Sequence, residues 1–196
     1  KIFGPLGKLI LTVYVSDVIL VFLMYAPMVA LLARFPIAQF FRGIWKVWVV
    51  TLSTTSSAGS LPITTSVTND DFGVSPELSS FSLPLGATIN MNGGCIYYAA
   101  AIVMTAQIYG MELTPAVLVN IVVSTVLVAM GCPGVPGGAI IMTTILLTNM
   151  GLPLEIVGMI AGIFRLIDMA NTTFNVTGDV VTTMVVARSE KMIHPP

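Results

Sequence analysis

The residues best suited to chemistry in this 196-residue chain lie near its C-terminus, where Arg165, Asp168, Thr172, Asn175 and Asp179 recur at intervals of three and four. At about 100° per residue these five fall within roughly a quarter-turn of one another, with Asn171 on their flank. The sequence around them is apolar, so the stripe belongs to a helix at membrane depth. A charge at the centre of a bilayer costs at least about 2.5–3.5 kcal/mol, and such a stripe must therefore face protein, where it marks a solute or ion path. The plainer alternative is a structural ion pair, Arg165 with Asp168 at i,i+3 spacing or Arg165 with Asp17 from the middle of the first apolar segment. Asp179 has no obvious partner in the sequence. A carboxylate beside unwound backbone suits a monovalent cation, because hard cations take oxygen ligands.

These residues need elements to position them, and composition says what kind. With 56% hydrophobic residues, 9% charged residues and a mean hydropathy of +0.95, the chain is far from the roughly 25% charge of soluble domains. It reads as an all-α integral membrane protein. A net charge of −1 with only 8 Lys and Arg leaves no basic face for nucleic acid. Cys95 and Cys132 lie in apolar runs without a CxxC or histidine companion, so neither a metal centre nor a disulfide framework is indicated. No Ser/His/Asp set or phosphate loop supports an enzyme.

The apolar pattern predicts a transmembrane helix over 9–33, a re-entrant hairpin over 37–76, a broken transmembrane helix over 78–110, a second re-entrant hairpin over 115–150 and a polar-striped transmembrane helix over 155–189. Serine- and glycine-rich residues 54–62 and glycine- and proline-rich residues 131–138 form the two hairpin tips, and the Asn90-Met-Asn-Gly-Gly94 run unwinds the third segment. Non-helical backbone is tolerated at membrane depth only where protein covers it or where it lines a cavity. Paired interruptions in two halves of a chain point to an inverted repeat whose tips meet at a binding site. Trp45 and Trp48 read as interfacial, Tyr97, Tyr98 and Tyr109 as packing or interfacial, and His194 as part of a solvated tail. Arg34, Arg42, Lys46, Arg188 and Lys191 favour a cytoplasmic 34–46 connector and C-terminus, against Lys1 and Lys8 on the other side. The absence of an initiating methionine and of a signal peptide suggests a piece of something larger.

The runs Ser56-Ser-Ala-Gly-Ser-Leu-Pro62, Ser82-Leu-Pro-Leu-Gly-Ala-Thr-Ile-Asn-Met-Asn-Gly93, Gly134-Val-Pro-Gly137 and Asp168-Met-Ala-Asn-Thr-Thr-Phe-Asn-Val-Thr-Gly-Asp179 together resemble the dicarboxylate/amino acid:cation symporter family, which includes glutamate transporters and neutral amino acid exchangers. The resemblance covers essentially the whole chain, as that family's C-terminal transport core without its N-terminal scaffold helices, so that the sequence reads as a fragment or as a split or shortened member. It implies one sodium site formed by the backbone of Gly86, Asn90 and Asn175 with the carboxylate of Asp179. A second is implied at the carbonyls of Thr88, Ala129, Met130 and Cys132, with Met91 alongside. For an α-amino acid it implies the Ser57 amide and Asn175 side chain at the carboxylate, and Asp168 with the carbonyls of Thr55 and Val135 at the ammonium. Thr172 joins that set. Further implications are a homotrimeric scaffold, a multi-pass location in the plasma (inner) membrane, contact with lipid, and no organic cofactor.

Three departures from the family pattern bear on specificity. Asn171 stands where acidic-substrate members usually have an arginine, and an amide cannot supply that charge. Gly94 replaces a threonine and is expected to enlarge the pocket. Asn92 replaces an aspartate of a third sodium site, which this sequence is therefore expected to weaken or lack. The resulting reading is a sodium-coupled symporter of small neutral amino acids with elevator-type alternating access and hairpin 2 as outer gate. Its alternatives are an acidic amino acid or dicarboxylate symporter that uses Arg165, a non-transporting partner of a longer relative, and a passive channel.

Overall fold

A computed structural model describes residues 3–194, and those residues are helical throughout apart from turns and one isolated antiparallel bridge, Val74 to Ile193. Helix α1 (Phe3–Leu20) runs on through two π-helical turns, Val21–Tyr25 and Met28–Leu32. Pro27 lies between those turns. Proline has no N–H and crowds the carbonyl four residues earlier, and a wider turn relieves that crowding without ending the helix. The combined element is long and apolar enough to span a bilayer, as is α8 (Glu155–Ser189).

Two helix pairs lie between them. Helix α2 (Ile37–Thr54) ends where Thr55 turns left-handed at φ 50°. After a tip at 55–60 the chain re-enters α3 (Leu61–Ser66), with Pro62 in its first turn, and a π-helical extension, Val67–Asp71. Helix α6 (Pro115–Ala129) starts on a Thr114 cap, whose hydroxyl accepts from the Val117 N–H at 3.3 Å. A tip at 130–137 leads to α7 (Gly138–Asn149), entered through Gly137 at φ 80°. Between the pairs, α4 (Pro76–Ile89) and α5 (Asn92–Tyr109) are one helix interrupted at Asn90 and Met91, whose ψ values of 79° and 56° are not helical. The interruption frees carbonyls of the last turn of α4 from helical bonding.

Helix α8 is the axis of the molecule and packs on α1, α2, α4, α5 and α7. Its first half joins α1, α5, α6 and α7 in one apolar core, which includes Tyr97, Ile102, Leu146, Leu147, Ile156 and Phe164. Its second half joins the later part of α1 with α2 and α4 in another, around Phe40, Ile44, Phe72, Leu83 and Met184. Phe174 packs against both. The polar residues of α8 lie at the seam between these cores, where the tips and the α4–α5 break converge.

Two details go beyond the sequence reading. The Trp48 indole turns inward: its N–H donates to the Thr177 hydroxyl at 2.8 Å and its ring meets Phe174 edge-on. The C-terminal tail is docked by its backbone, because the His194 N–H donates to the Gly73 carbonyl at 2.8 Å and the Ser75 N–H to the Met192 carbonyl at 2.8 Å.

Candidate functional site

The two tips touch. The Gly134 carbonyl in the second tip accepts from the Ala58 N–H at 3.2 Å and from the Ser56 hydroxyl at 3.0 Å, both in the first. Gly134 is required there by close approach, since a Cβ on it would lie 2.5 Å from the Ala87 carbonyl oxygen and 3.3 Å from Ser57. That one residue thus contacts the first tip and the end of α4 together.

Beneath this junction is a cavity of about 20 Å³, room for one water. Thr55, Ser57, Gly94, Val135, Asp168, Asn171, Thr172 and Asn175, the eight expected substrate residues, all line it. Met91 and Cys132, expected at sodium, line it too, as do Tyr98, Pro133, Gly134 and Ala139. Asp168 accepts from the Gly137 N–H at 3.3 Å. Asn175 is engaged at both ends: its oxygen accepts from the Gly93 N–H at 2.8 Å and its nitrogen donates to the Met91 sulfur at 3.3 Å. Asn171 is 2% exposed and neither end of its amide has a partner. A Cβ on Gly94 would stand 3.5 Å from the Met91 Cβ and 3.6 Å from the Tyr98 Cε2, ordinary contact distances, so the Tyr98 ring borders the cavity on the side of Gly94. Tyr98 is therefore a wall of the cavity, not a packing residue alone. Its position one helical turn after Gly94 was the available signal.

On the other side of the α4–α5 break, Gly86, Asn90, Asn175 and Asp179 come together. Asn90 donates to an Asp179 carboxylate oxygen at 2.7 Å and to the Asn175 carbonyl at 3.4 Å. A Cβ on Gly86 would sit 2.5 Å from the same carboxylate oxygen, so the cradle exists only because glycine leaves it open. Asp179 thus has a partner that the sequence did not reveal, but a neutral one. The only salt bridge among the described residues is Lys46 to Asp71, at 2.7 Å. A buried carboxylate with carbonyl oxygens nearby and no basic partner has the donor set of a small hard cation. An open cavity of about 320 Å³ between α4 and α8 leads to it past Phe81, Leu85 and Ile89.

The residues of the second expected sodium set differ in exposure. Ala129 and Cys132 are buried, while Met130 is exposed and so is Thr88, whose hydroxyl folds back onto the Leu85 carbonyl. Asn92 donates to the Tyr25 hydroxyl at 2.9 Å, and that hydroxyl donates to the Phe174 carbonyl at 3.1 Å.

Arg165 makes neither expected ion pair. Its guanidinium donates to the Thr55 hydroxyl at 2.6 Å and to the Ser53 carbonyl at 2.8 Å. It thereby ties α8 to the end of α2, where the left-handed Thr55 exposes backbone carbonyls that a planar fork of donors can reach. Asp17 is fully buried, with both carboxylate oxygens unpartnered. Sequence reasoning also missed a second polar stripe on α8. Thr173 and Thr183 exchange hydroxyl bonds of 2.9 Å with Thr51 and Ser82, and with Thr177 they anchor α2 and α4.

The chain matches, over residues 1–189, a family model described as the sodium:dicarboxylate symporter family. Among curated proteins it is 36% identical to excitatory amino acid transporter 2 of Mus musculus over 141 residues, which cover 72% of this chain and 25% of that protein. It is 35% identical to an excitatory amino acid transporter of Caenorhabditis elegans over 152 residues, 78% of this chain and 30% of that one. With human excitatory amino acid transporter 1 the identity is 32% over 174 residues, 86% of this chain and 32% of the relative. The chain thus spans between a quarter and a third of the length of these relatives.

Proposed function

The chain belongs to the sodium:dicarboxylate symporter family, and from that premise we propose that it is the transport core of a sodium-coupled symporter of small neutral amino acids. The observation that carries the reading is the cavity where both tips and the polar face of α8 converge with an uncharged, unpartnered Asn171 on its wall. An acidic side chain buried there would face no positive charge at that position, whereas a neutral one needs none. Asp168 meets the substrate ammonium, and the Ser57 amide with Asn175 meets the α-carboxylate. Asn175 must release Gly93 or Met91 to do so. Sodium is carried at Gly86, Asn90, Asn175 and Asp179, and a second ion at the carbonyls of Thr88, Ala129, Met130 and Cys132 beside Met91.

The helix pairs α2–α3 and α6–α7 act as re-entrant hairpins of an inverted repeat. A cavity of about 20 Å³ cannot admit an amino acid until a tip moves, and residues 130–137 are the gate. Only a core in which cation and substrate offset the buried carboxylates crosses the plasma membrane against a trimeric scaffold, because uncompensated charge is costly in lipid. That condition couples the two fluxes.

A second reading, an acidic substrate, is favoured by one observation: the Arg165 guanidinium reaches Thr55, which lines the cavity. The named relatives are excitatory amino acid transporters, which agrees with it. The test is thermal stabilisation of the purified whole protein by single amino acids with and without sodium, since a ligand of the folded state raises stability by mass action. Sodium-dependent stabilisation by alanine, serine, threonine or glutamine supports the neutral reading. The same response to aspartate and glutamate alone supports the second reading, and no response to any overturns both.

A further inference from the structure

Among the described residues, six buried side-chain polar atoms have no hydrogen-bond partner, and three of them belong to two residues that line this one cavity: both ends of the Asn171 amide and the Tyr98 hydroxyl, which has only the weakly bonding Cys132 thiol beside it. Buried polar groups are nearly always paired, because an unpaired one has given up its bonds to water with nothing in return. Three around one small space mark a place where a ligand completes the bonding. Three other polar side chains at this cavity are engaged, Asp168 by Gly137, Asn175 by Gly93 and Met91, and Thr55 by Arg165. Tyr98 lies one turn after Gly94, and a Cβ on Gly94 would stand in ordinary contact with its ring, 3.6 Å from Cε2.

Resting on the reading above, we propose that Tyr98 is a specificity-determining residue: with Asn171 it binds an uncharged hydrogen-bonding group, a hydroxyl or a carboxamide, on the substrate side chain. The chemistry of the pair selects that group. An amide presents a donor and an acceptor, a phenol presents one of each, and neither carries charge. A hydroxyl or carboxamide can answer both polarities. An aliphatic side chain leaves all three atoms buried and unpaired, and sites built to bond a substrate hydroxyl reject the analogue lacking it far more strongly than apolar pockets reject a missing methylene.

Threonine and valine have nearly the same shape and differ in this respect alone, so they are the probes. Sodium-dependent uptake into proteoliposomes holding the whole protein is measured for each, in the wild type and in Tyr98→Phe. The expected result is at least a tenfold preference for threonine in the wild type, falling at least fivefold in the variant. Equal use of threonine and valine by the wild type overturns the proposal without needing any variant to fold, as does a Tyr98→Phe protein with an unchanged ratio. In both cases the transporter reading survives. Absence of saturable uptake of every amino acid overturns that reading, and this one with it.

Discussion

At the scale of single residues the site separates side chains by whether they carry charge or measure it. Asp179 is a buried carboxylate that no basic residue among those described answers, held against Gly86 with Asn90 as its neutral donor. Asp179→Asn keeps the shape and removes the charge. Sodium titration of thermal stability is expected to show at least a tenfold weaker ion response, while choline controls match the wild type. Arg165 differs in kind, because its bonds go to the Thr55 hydroxyl and the Ser53 carbonyl. Arg165→Ala is expected to leave sodium-dependent binding of neutral amino acids within a few-fold of wild type and to lower stability by about 1–3 kcal/mol, typical of lost bonds from a charged donor. Abolished aspartate binding in that variant would instead make Arg165 the substrate reader. The residue types of the stripe were legible in the sequence, but the partners were not. Asp17, Asp168 and Arg165 were all available for pairing by type, and the fold leaves Asp17 with none.

At the scale of elements, the candidate site is built where two tips and the α4–α5 break come together. The break at Asn90 and Met91 was readable, since two asparagines and two glycines inside an apolar run are poor helix formers, and the tips were marked by their serine, glycine and proline content. Their convergence was inferred from the doubling alone. In the structure it takes the form of two bonds to the Gly134 carbonyl and a close approach to Ala87. Gly134→Ala puts a methyl 2.5 Å from a backbone oxygen, a contact that no side-chain rotation relieves. The tip must then stand away from α4, and strain of about 1–3 kcal/mol is expected to weaken substrate binding tenfold or more in the thermal-shift assay, with a smaller drop in the ligand-free melting midpoint. An unchanged affinity would show that this tip does not close over substrate. The second threonine stripe of α8 escaped notice because Thr173, Thr177 and Thr183 are ordinary in an apolar helix until Thr51, Trp48 and Ser82 arrive from other segments.

At the scale of the whole molecule, two apolar cores enclose the polar face of α8, and the outer surface carries many large apolar side chains as well. Leu11, Phe22, Leu23, Phe81 and Leu127 are each more than 60% exposed, and large apolar side chains exposed in such number mark a lipid- or protein-facing surface. The chain is expected to stay monodisperse in detergent or nanodiscs and to aggregate when detergent is removed, with sodium and substrate present or not. Size-exclusion chromatography with light scattering reads this directly, and a monodisperse detergent-free species would argue against a membrane core. The sequence by itself determined the class of solvent, the helices, where they break and which residue types are dear to bury, because hydropathy, periodicity and helix-breaking are local properties of the chain. Only the tertiary structure decided that Arg165 serves the first tip, that Asn90 answers Asp179 and that Tyr98 lines the same cavity as Asn171. Those outcomes depend on distances between segments far apart in the chain, and a residue's type states what it can bond to without stating what the fold brings within reach.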